Sequence, residues 1–435
     1  MWHCQSGEHT GEENVSGFSQ LERERIKELI AARQPGYGLP RSFYHDELIY
    51  RADIEVVWRR GWLFAGHTCQ IPNPGDYFLY DIDTDSVIIV RGDDGQVHAL
   101  HNVCRHRGTL ICAQPEGHVK RFVCPYHQWT YGRDGQLLFW RGMQEELDKS
   151  QLGLHKVHVR QVEGLIYINL AENPPDLQAA FQTIAPLARL QGFTRAKVAK
   201  VGDYLIPANW KLVWENNREC FHCNVNHPQY IKANFDHYNA DDLGERVAQQ
   251  LALATERLEA KWAAAGMPLR TESGMTPFPD ADHDIWYSAN RTPLVEGYVS
   301  ESMDGKQVAP LMGDYSDPDV GTLRIRTLPN FWNHSSCDHG VTTRLTPAGP
   351  CKTLARLFWL VDANAVEGRD YSLDKLAPFW QLTAEQDWEI CERAQRGVNS
   401  RAYAPGPLST YKEYNVDSFL RWYLRQLSDA ISYKE

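Results

Sequence analysis

Between Asn209 and Pro228 the chain sets out Asn216, Glu219, Cys220, His222, Cys223 and His227 within twenty residues, and these are side chains that bind metals and move protons. No Gly or Pro interrupts the stretch before Pro228, so the pattern predicts one helix that Pro228 ends. At about 100° per residue, Leu212, Asn216, Glu219 and Cys223 share a stripe, with His222 and His227 to either side of it. Polar groups on an inward stripe must be satisfied internally or serve as ligands. Two neutral imidazoles and one carboxylate leave open positions on Fe(II), an arrangement suited to oxygen activation. Five residues apart, however, the imidazoles diverge by ~140° on an ideal helix, so a shared metal requires the last turn to unwind toward Pro228. The alternative is a pair of hydrogen-bonded histidines in the core or on a turn.

A second constellation lies upstream. Cys104-Arg105-His106 is followed, after seventeen residues, by Cys124-Pro125-Tyr126-His127. Two thiolates and two imidazoles on paired loops fit a [2Fe–2S] cluster with one iron on sulfur and the other on nitrogen. Neutral ligands raise the potential of such a cluster, which suits an electron donor. A structural zinc site is the alternative, although C-x-H is an unusual zinc spacing. Arg107-Gly108 should shape the first loop, and Trp129 and Tyr131 should pack around the second. Cys112 has no counterpart in the second loop and reads as a buried thiol. The ten cysteines are scattered through 435 residues and several adjoin histidine, so metal ligation is expected rather than disulfides.

A carboxylate to complete the downstream set comes from periodicity. In the run Thr383 to Val398, Thr383 and Gln386 have capping-box spacing. Asp387, Ile390, Cys391, Ala394 and Val398 fall within about 60° of one direction, while Glu385, Glu389, Glu392 and Arg396 point away. An acid on an apolar face requires a cation, and a metal is one candidate. A segment cap or an arginine partner is the alternative.

The elements that must position these groups divide the chain. Its length implies two domains. Leu21–Arg33 and Tyr44–Arg59 read as helices, and short β-rich runs at 76–80, 86–90, 97–100 and 165–169 make the first half a small β-sandwich. Residues 1 to about 20 read as a mobile tail, 171–200 as a linker and helix, and 241–265 as a helix. Segments 276–280 and 313–318 are expected loops, and strands at 322–328, 340–346 and 353–361 should wall a pocket. The net charge of −11 argues against nucleic acid or an anionic membrane as partner. No run of about 18 apolar residues and no signal-like start occur, so a cytoplasmic location is expected. There is no G-x-G-x-x-G after a strand, so hydride must be accepted elsewhere.

These motifs, in this order, resemble the alpha subunits of Rieske-type non-haem iron oxygenases over roughly residues 45 to 430. Arg291–Gly297 and Ser302–Gly305 are similar to segments of the betaine and quaternary-ammonium demethylase branch. The resemblance implies an α+β chain: a tail and helix (1–44), a Rieske β-sandwich (45–170), and a helix-grip, START-like domain (171–435) with an antiparallel sheet wrapped over a long helix. It implies a Rieske [2Fe–2S] cluster on Cys104, His106, Cys124 and His127, and mononuclear Fe(II) on His222, His227 and Asp387. Glu219 and Asn216 are then expected to serve catalysis, with Glu219 linking the iron site to a cluster histidine of the adjacent subunit in a homotrimer. Electrons from NAD(P)H would arrive through a separate flavin/ferredoxin-type reductase, and O2 would hydroxylate an N-methyl group of a quaternary ammonium compound with loss of formaldehyde. Glycine betaine comes first among these, proline betaine or carnitine next. Most ring-hydroxylating relatives carry Asp where this chain has Glu219; an aromatic-ring-hydroxylating dioxygenase is the alternative. Outside the enzymes, the readings are a Rieske electron carrier and a zinc-stabilised binding protein.

Overall fold

The computed structural model describes residues 17–234, 244–268, 270–271 and 286–432. Most of the expected tail and the loop at 276–280 lie outside the described residues. The first helix, Gln20–Ala31, opens on a capping box in which Ser19 accepts from the Glu22 N–H and Glu22 accepts from the Ser19 N–H. Asp46 caps Glu47–Ala52 by a single bond, its side chain accepting from the Leu48 N–H at 2.8 Å. The expected α-helix up to Arg59 changes pitch at Asp53 and runs on as a π-helical stretch to Trp58.

The β-rich half holds three small antiparallel sheets. One has the order Val97–His101, Asp85–Arg91, Asp76–Ile82, Glu116–His118; the second Leu63–His67, Leu165–Asn169, His158–Val162; the third Phe122–Val123, Thr130–Tyr131, Leu137–Phe139. Ile88, Val90, Leu100, Phe122, Tyr131 and Leu137 form a core that also buries Cys104 and Cys124. Each of the four strands expected here is present.

The second half is a seven-stranded antiparallel sheet in the order Ala196–Ile206, Lys352–Asp362, Gly340–Gly349, Phe331–Ser335, Thr322–Thr327, Tyr287–Thr292, Arg270–Thr271. The first of these was not anticipated: the helix Gln178–Gln191 stops at Gly192, whose φ of +74° is left-handed, and the chain is already extended by Ala196. Strand alternation then sorts the side chains. Leu323, Ile325 and Phe331 pack on Ile184 and Leu187 of that helix. Their neighbours Arg324, Arg326, Trp332 and His334 face a cavity of about 90 Å³, whose other wall is the helix Pro378–Val398 through Trp380, Thr383, Asp387 and Trp388. No helix among the described residues is long and apolar enough to cross a membrane.

One buried cluster ties the N-terminal helices to this second half. The Asp53 carboxylate, fully buried, accepts from Lys211 Nζ, from Trp210 Nε1 at 2.9 Å and from the Tyr423 hydroxyl at 2.6 Å. The carboxylate and the ammonium are both removed from water, and only this complete set of partners makes that tolerable. Lys211→Met should therefore cost about 3–5 kcal/mol, read as a lower urea midpoint, because it strands a buried charge. Adding Asp53→Leu should recover part of the loss; a neutral Lys211→Met would show that the pair braces nothing.

Candidate metal centres

The two loops of the upstream site are the same turn built from different residues. In the first, the Cys104 N–H donates to Thr109 O and the Gly108 N–H to Cys104 O; in the second, the Cys124 N–H donates to Trp129 O and the Gln128 N–H to Cys124 O, all at 2.8–3.0 Å. Each needs a left-handed residue four positions after its cysteine, Gly108 at φ +76° and Gln128 at φ +60°. Glycine meets that demand without strain; Gln128 bears a modest cost. The turns bring the His106 and His127 rings to 4.6 Å. Trp129 stacks on His106 at 4.9 Å, Tyr126 on His127 at 3.8 Å, and Arg107 sits over Tyr126. Tyr131 reaches the Cys104 sulfur through its hydroxyl at 3.3 Å. Thus Trp129 and Tyr131 screen the site, and Cys112 is a buried free thiol.

The donor set fits an iron–sulfur cluster. Cys104 and Cys124 are buried and unlinked, and the buried Nδ1 atoms of both His106 and His127 have no hydrogen-bond partner. Two orphaned imidazole nitrogens beside two thiols are expected where metal completes the site. Burial, aided by the neighbouring Cys104, pushes the Cys124 thiol up, while backbone N–H groups of Tyr126 and His127 directed at its sulfur favour the thiolate. Partial desolvation, with His106 and Arg107 nearby, pushes His127 down and keeps it neutral for ligation.

Downstream, the single helix predicted up to Pro228 is two pieces, Trp210–Asn217 and Cys223–Asn226, and Pro228, expected to end it, instead opens a further helix, Pro228–Ala233, at whose first turn its missing N–H costs nothing. The break at Arg218–His222 has a local cause. The Glu219 carboxylate turns back to accept the N–H groups of Phe221 and His222, the latter at 3.3 Å, and Cys220 is joined to Cys223 in a disulfide. That bond corrects the expectation that the cysteines would not pair. Unwinding thus happens ahead of His222 rather than only next to Pro228, and it lets two imidazoles five residues apart face one point.

That point is Oδ1 of Asp387, 3.2 Å from Nε2 of His222 and 3.0 Å from Nε2 of His227. Each ring's other nitrogen is already engaged: His222 Nδ1 donates to Glu219 Oε1 at 2.6 Å and His227 Nδ1 to Gln386 Oε1 at 2.8 Å. Gln386 is itself fixed by the Gln229 amide at 2.9 Å. Both Nε2 lone pairs therefore converge on a carboxylate oxygen, and a cation belongs between them. Burial disfavours the imidazolium of His222, yet hydrogen bonds to Asp387 and Glu219 outweigh it and push its pKa up to about 10. Burial likewise disfavours the Asp387 carboxylate, but the two histidines hold it down to about 2. The set fits a divalent metal with positions left open toward the cavity. Asn216 lies beside it, Nδ2 3.3 Å from His222 Nε2.

Helix phase placed Asp387 correctly, but the capping box did not form. The helix starts at Pro378, so Thr383 is interior and its hydroxyl donates to Phe379 O. Asp387 also borders the cavity, its side chain 20% exposed, rather than sitting in the apolar core. Sequence reasoning missed Gln386, although its place beside Asp387 put it within reach of a ligand.

Two pockets of this chemistry, one on paired β-turns and the other between a sheet and a long helix, define a Rieske-type non-haem iron oxygenase, and the chain belongs to that family. Residues 61–157 match the Rieske [2Fe–2S] domain and residues 193–429 the ring hydroxylating alpha subunit catalytic domain. As such it is an oxygenase that carries a Rieske cluster and mononuclear iron and uses O2 with NAD(P)H electrons delivered by a reductase. It is 39% identical to the glycine betaine monooxygenase oxygenase subunit of Chromohalobacter salexigens, over 92% of this chain and 88% of that one. Against the subunit of the same name from Pseudomonas aeruginosa the identity is 38%, over 93% and 92%. The fold is that of the quaternary ammonium Rieske monooxygenase CntA solved with gamma-butyrobetaine, at TM-score 0.64 and 19% identity, covering 92% of this chain and 98% of that one.

The two candidate ligand sets share no residue, so the sites should empty independently. Cys104→Ala or His127→Ala should abolish acid-labile sulfide and the brown colour. Asp387→Ala should lose the mononuclear iron and keep the cluster spectrum, while Glu389→Ala on the outer face should lose neither. Iron loss in Glu389→Ala with retention in Asp387→Ala would reverse the assignment of the helix face.

Proposed function

We propose that the protein is the oxygenase component of a cytoplasmic Rieske monooxygenase that removes an N-methyl group from a quaternary ammonium compound, glycine betaine before proline betaine or carnitine. The observation that carries this reading is the cavity wall. Trp332, Trp380, Trp388 and Tyr230 line it beside the His222, His227 and Asp387 set. A quaternary ammonium group neither donates nor accepts hydrogen bonds and is held by aromatic faces. The names of the relatives point to the same substrates.

In this reading Cys104, His106, Cys124 and His127 hold the cluster in a domain spanning 45–170, after the tail and helix of 1–44. His222, His227 and Asp387 hold the iron in a domain spanning 171–435. When bound, these groups supply electrons and activate O2 for insertion into an N-methyl C–H bond. The protein's part is placement. Glu219 fixes the His222 tautomer through Nδ1, Gln386 does so for His227, and Asn216 stands next to the open positions. The tryptophan faces hold the cation so that a methyl group, not the carboxylate end, meets those positions. The N-hydroxymethyl product then loses formaldehyde and a proton to leave the tertiary amine. A separate flavin/ferredoxin-type reductase and a homotrimeric assembly, in which Glu219 faces a cluster histidine of the neighbouring subunit, complete the system.

A substrate panel with reductase, NAD(P)H and O2 tests the activity. One formaldehyde per dimethylglycine is expected from glycine betaine. Diol formation from aromatic hydrocarbons, with no formaldehyde from any quaternary amine, would favour the ring-hydroxylating alternative.

Glu219→Gln separates electron delivery from metal binding. Both metal groups should remain and the cluster should still be reduced by the reductase, because no ligand has changed. Onward transfer should slow by about 10- to 100-fold, since a neutral amide no longer orients both imidazoles. Normal cluster reoxidation in a single turnover of pre-reduced Glu219→Gln with substrate and O2 would show that electrons take another route.

A further inference from the structure

Cys220 and Cys223 bracket Phe221 and His222, and their sulfurs are bonded with the Cα atoms 5.0 Å apart. Both residues line the cavity and are only 7% and 4% exposed. The Cys223 sulfur lies 3.9 Å from Nε2 of His222, the nitrogen that points at Asp387. One ligand atom from each of His222, Cys223 and His227 lies within 4.8 Å of the others. A sulfur in that place has two mutually exclusive partners, the other sulfur or the metal. As half of a disulfide it is a poor ligand; as a thiolate it is a strong one.

We propose that Cys220 and Cys223 form a reversible thiol–disulfide element of the iron site, in which reduction frees the Cys223 thiolate to bind the metal as a fourth protein ligand. Oxidation ties that sulfur back and leaves the position open for O2. The backbone need not move between the two states. The turn is held independently by the Glu219 carboxylate and by the Cys223 N–H donating to Cys220 O at 3.1 Å. Only the Cys223 side chain changes partner.

The chemistry balances with an external dithiol in one direction and a peroxide in the other. A dithiol thiolate attacks one cysteine sulfur, the S–S bond breaks, and a mixed disulfide forms. Its second thiol resolves that intermediate, leaving two cysteine thiols and the oxidised reagent, a transfer of two electrons and two protons. In reverse, one cysteine sulfur attacks hydrogen peroxide, giving a sulfenic acid and water. The second cysteine displaces the sulfenic oxygen as another water and closes the disulfide. On binding the metal, the Cys223 thiol releases its proton.

The inference rests on the assignment of His222, His227 and Asp387 as iron ligands. To test it, enzyme holding its cluster and iron is treated with dithiothreitol or with one equivalent of hydrogen peroxide and freed of reagent. It is then divided between alkylation with peptide mapping and release of ferrous iron to a chelator. The peptide containing Cys220 and Cys223 should take two alkyl groups after dithiothreitol and none after peroxide. Mononuclear iron should leave the reduced enzyme severalfold more slowly. Cys223→Ser should abolish the difference in release, and Cys220→Ser should show slow release without dithiothreitol. Two alkyl groups after peroxide, or equal release from both wild-type states, overturns the proposal. His227→Ala separates the two layers of the argument. If it empties the iron site while the wild-type states still release iron equally, the switch alone fails; if it keeps its iron, the ligand assignment fails.

Discussion

Two imidazole nitrogens facing one carboxylate oxygen are the constraint on which the second half of this protein depends. His222 and His227 meet Asp387 across more than 150 intervening positions, and their lone pairs repel unless a cation lies between them. The upward push on His222 and the downward hold on Asp387 express that demand. The helix has to break before His222, Glu219 and Gln386 have to occupy the outer ring nitrogens, and the long helix has to present Asp387 in phase with the cavity. Each of these costs something by itself, and each is offset by the arrangement it permits.

What holds the two walls at the required separation is mostly elsewhere. Asp53, Lys211, Trp210 and Tyr423 lock the N-terminal helices to the start of the ligand-bearing segment and to the last helix. The sheet floor is fixed by packing on its far face, where Leu323, Ile325 and Phe331 meet the helix Gln178–Gln191. Side chains on the near face are thereby free to be chosen for chemistry, and Arg324, Arg326, Trp332 and His334 stand there beside the aliphatic Val341 and Leu357.

How much of this could be seen beforehand depended on how local each cause was. The cluster loops were legible because their ligands, their left-handed Gly108 and their screening Trp129 all lie within a short contiguous stretch. Asp387 was legible because a helix face repeats regularly enough to isolate one acid. The stretch from Asn209 to Pro228 misled because its break comes from a carboxylate folding back on its own turn and from two sulfurs meeting, neither of which lowers helix propensity. Thr383 misled for a related reason: its spacing to Gln386 fits a helix start, but Pro378 supplies an earlier one. Trp332, His334, Trp380 and Trp388 were present in the sequence without a signal that they would line one cavity from opposite walls, since that depends on strand register and on how the helix Pro378–Val398 docks on the sheet.

The two metal sites also differ in how far along the chain their ligands are spread. The proposed cluster ligands all fall between Cys104 and His127, and their supporting strands are complete by Asn169. The proposed iron ligands are not all present until Asp387, with the closing helix Tyr414–Ser432 later still. During synthesis, therefore, the residues proposed for the cluster and their strands can fold while the downstream set still lacks its acid, and His222 and His227 cannot meet Asp387 until the chain has passed that residue. The layout of the sequence thus allows the half proposed to store electrons to take shape before the half proposed to activate oxygen.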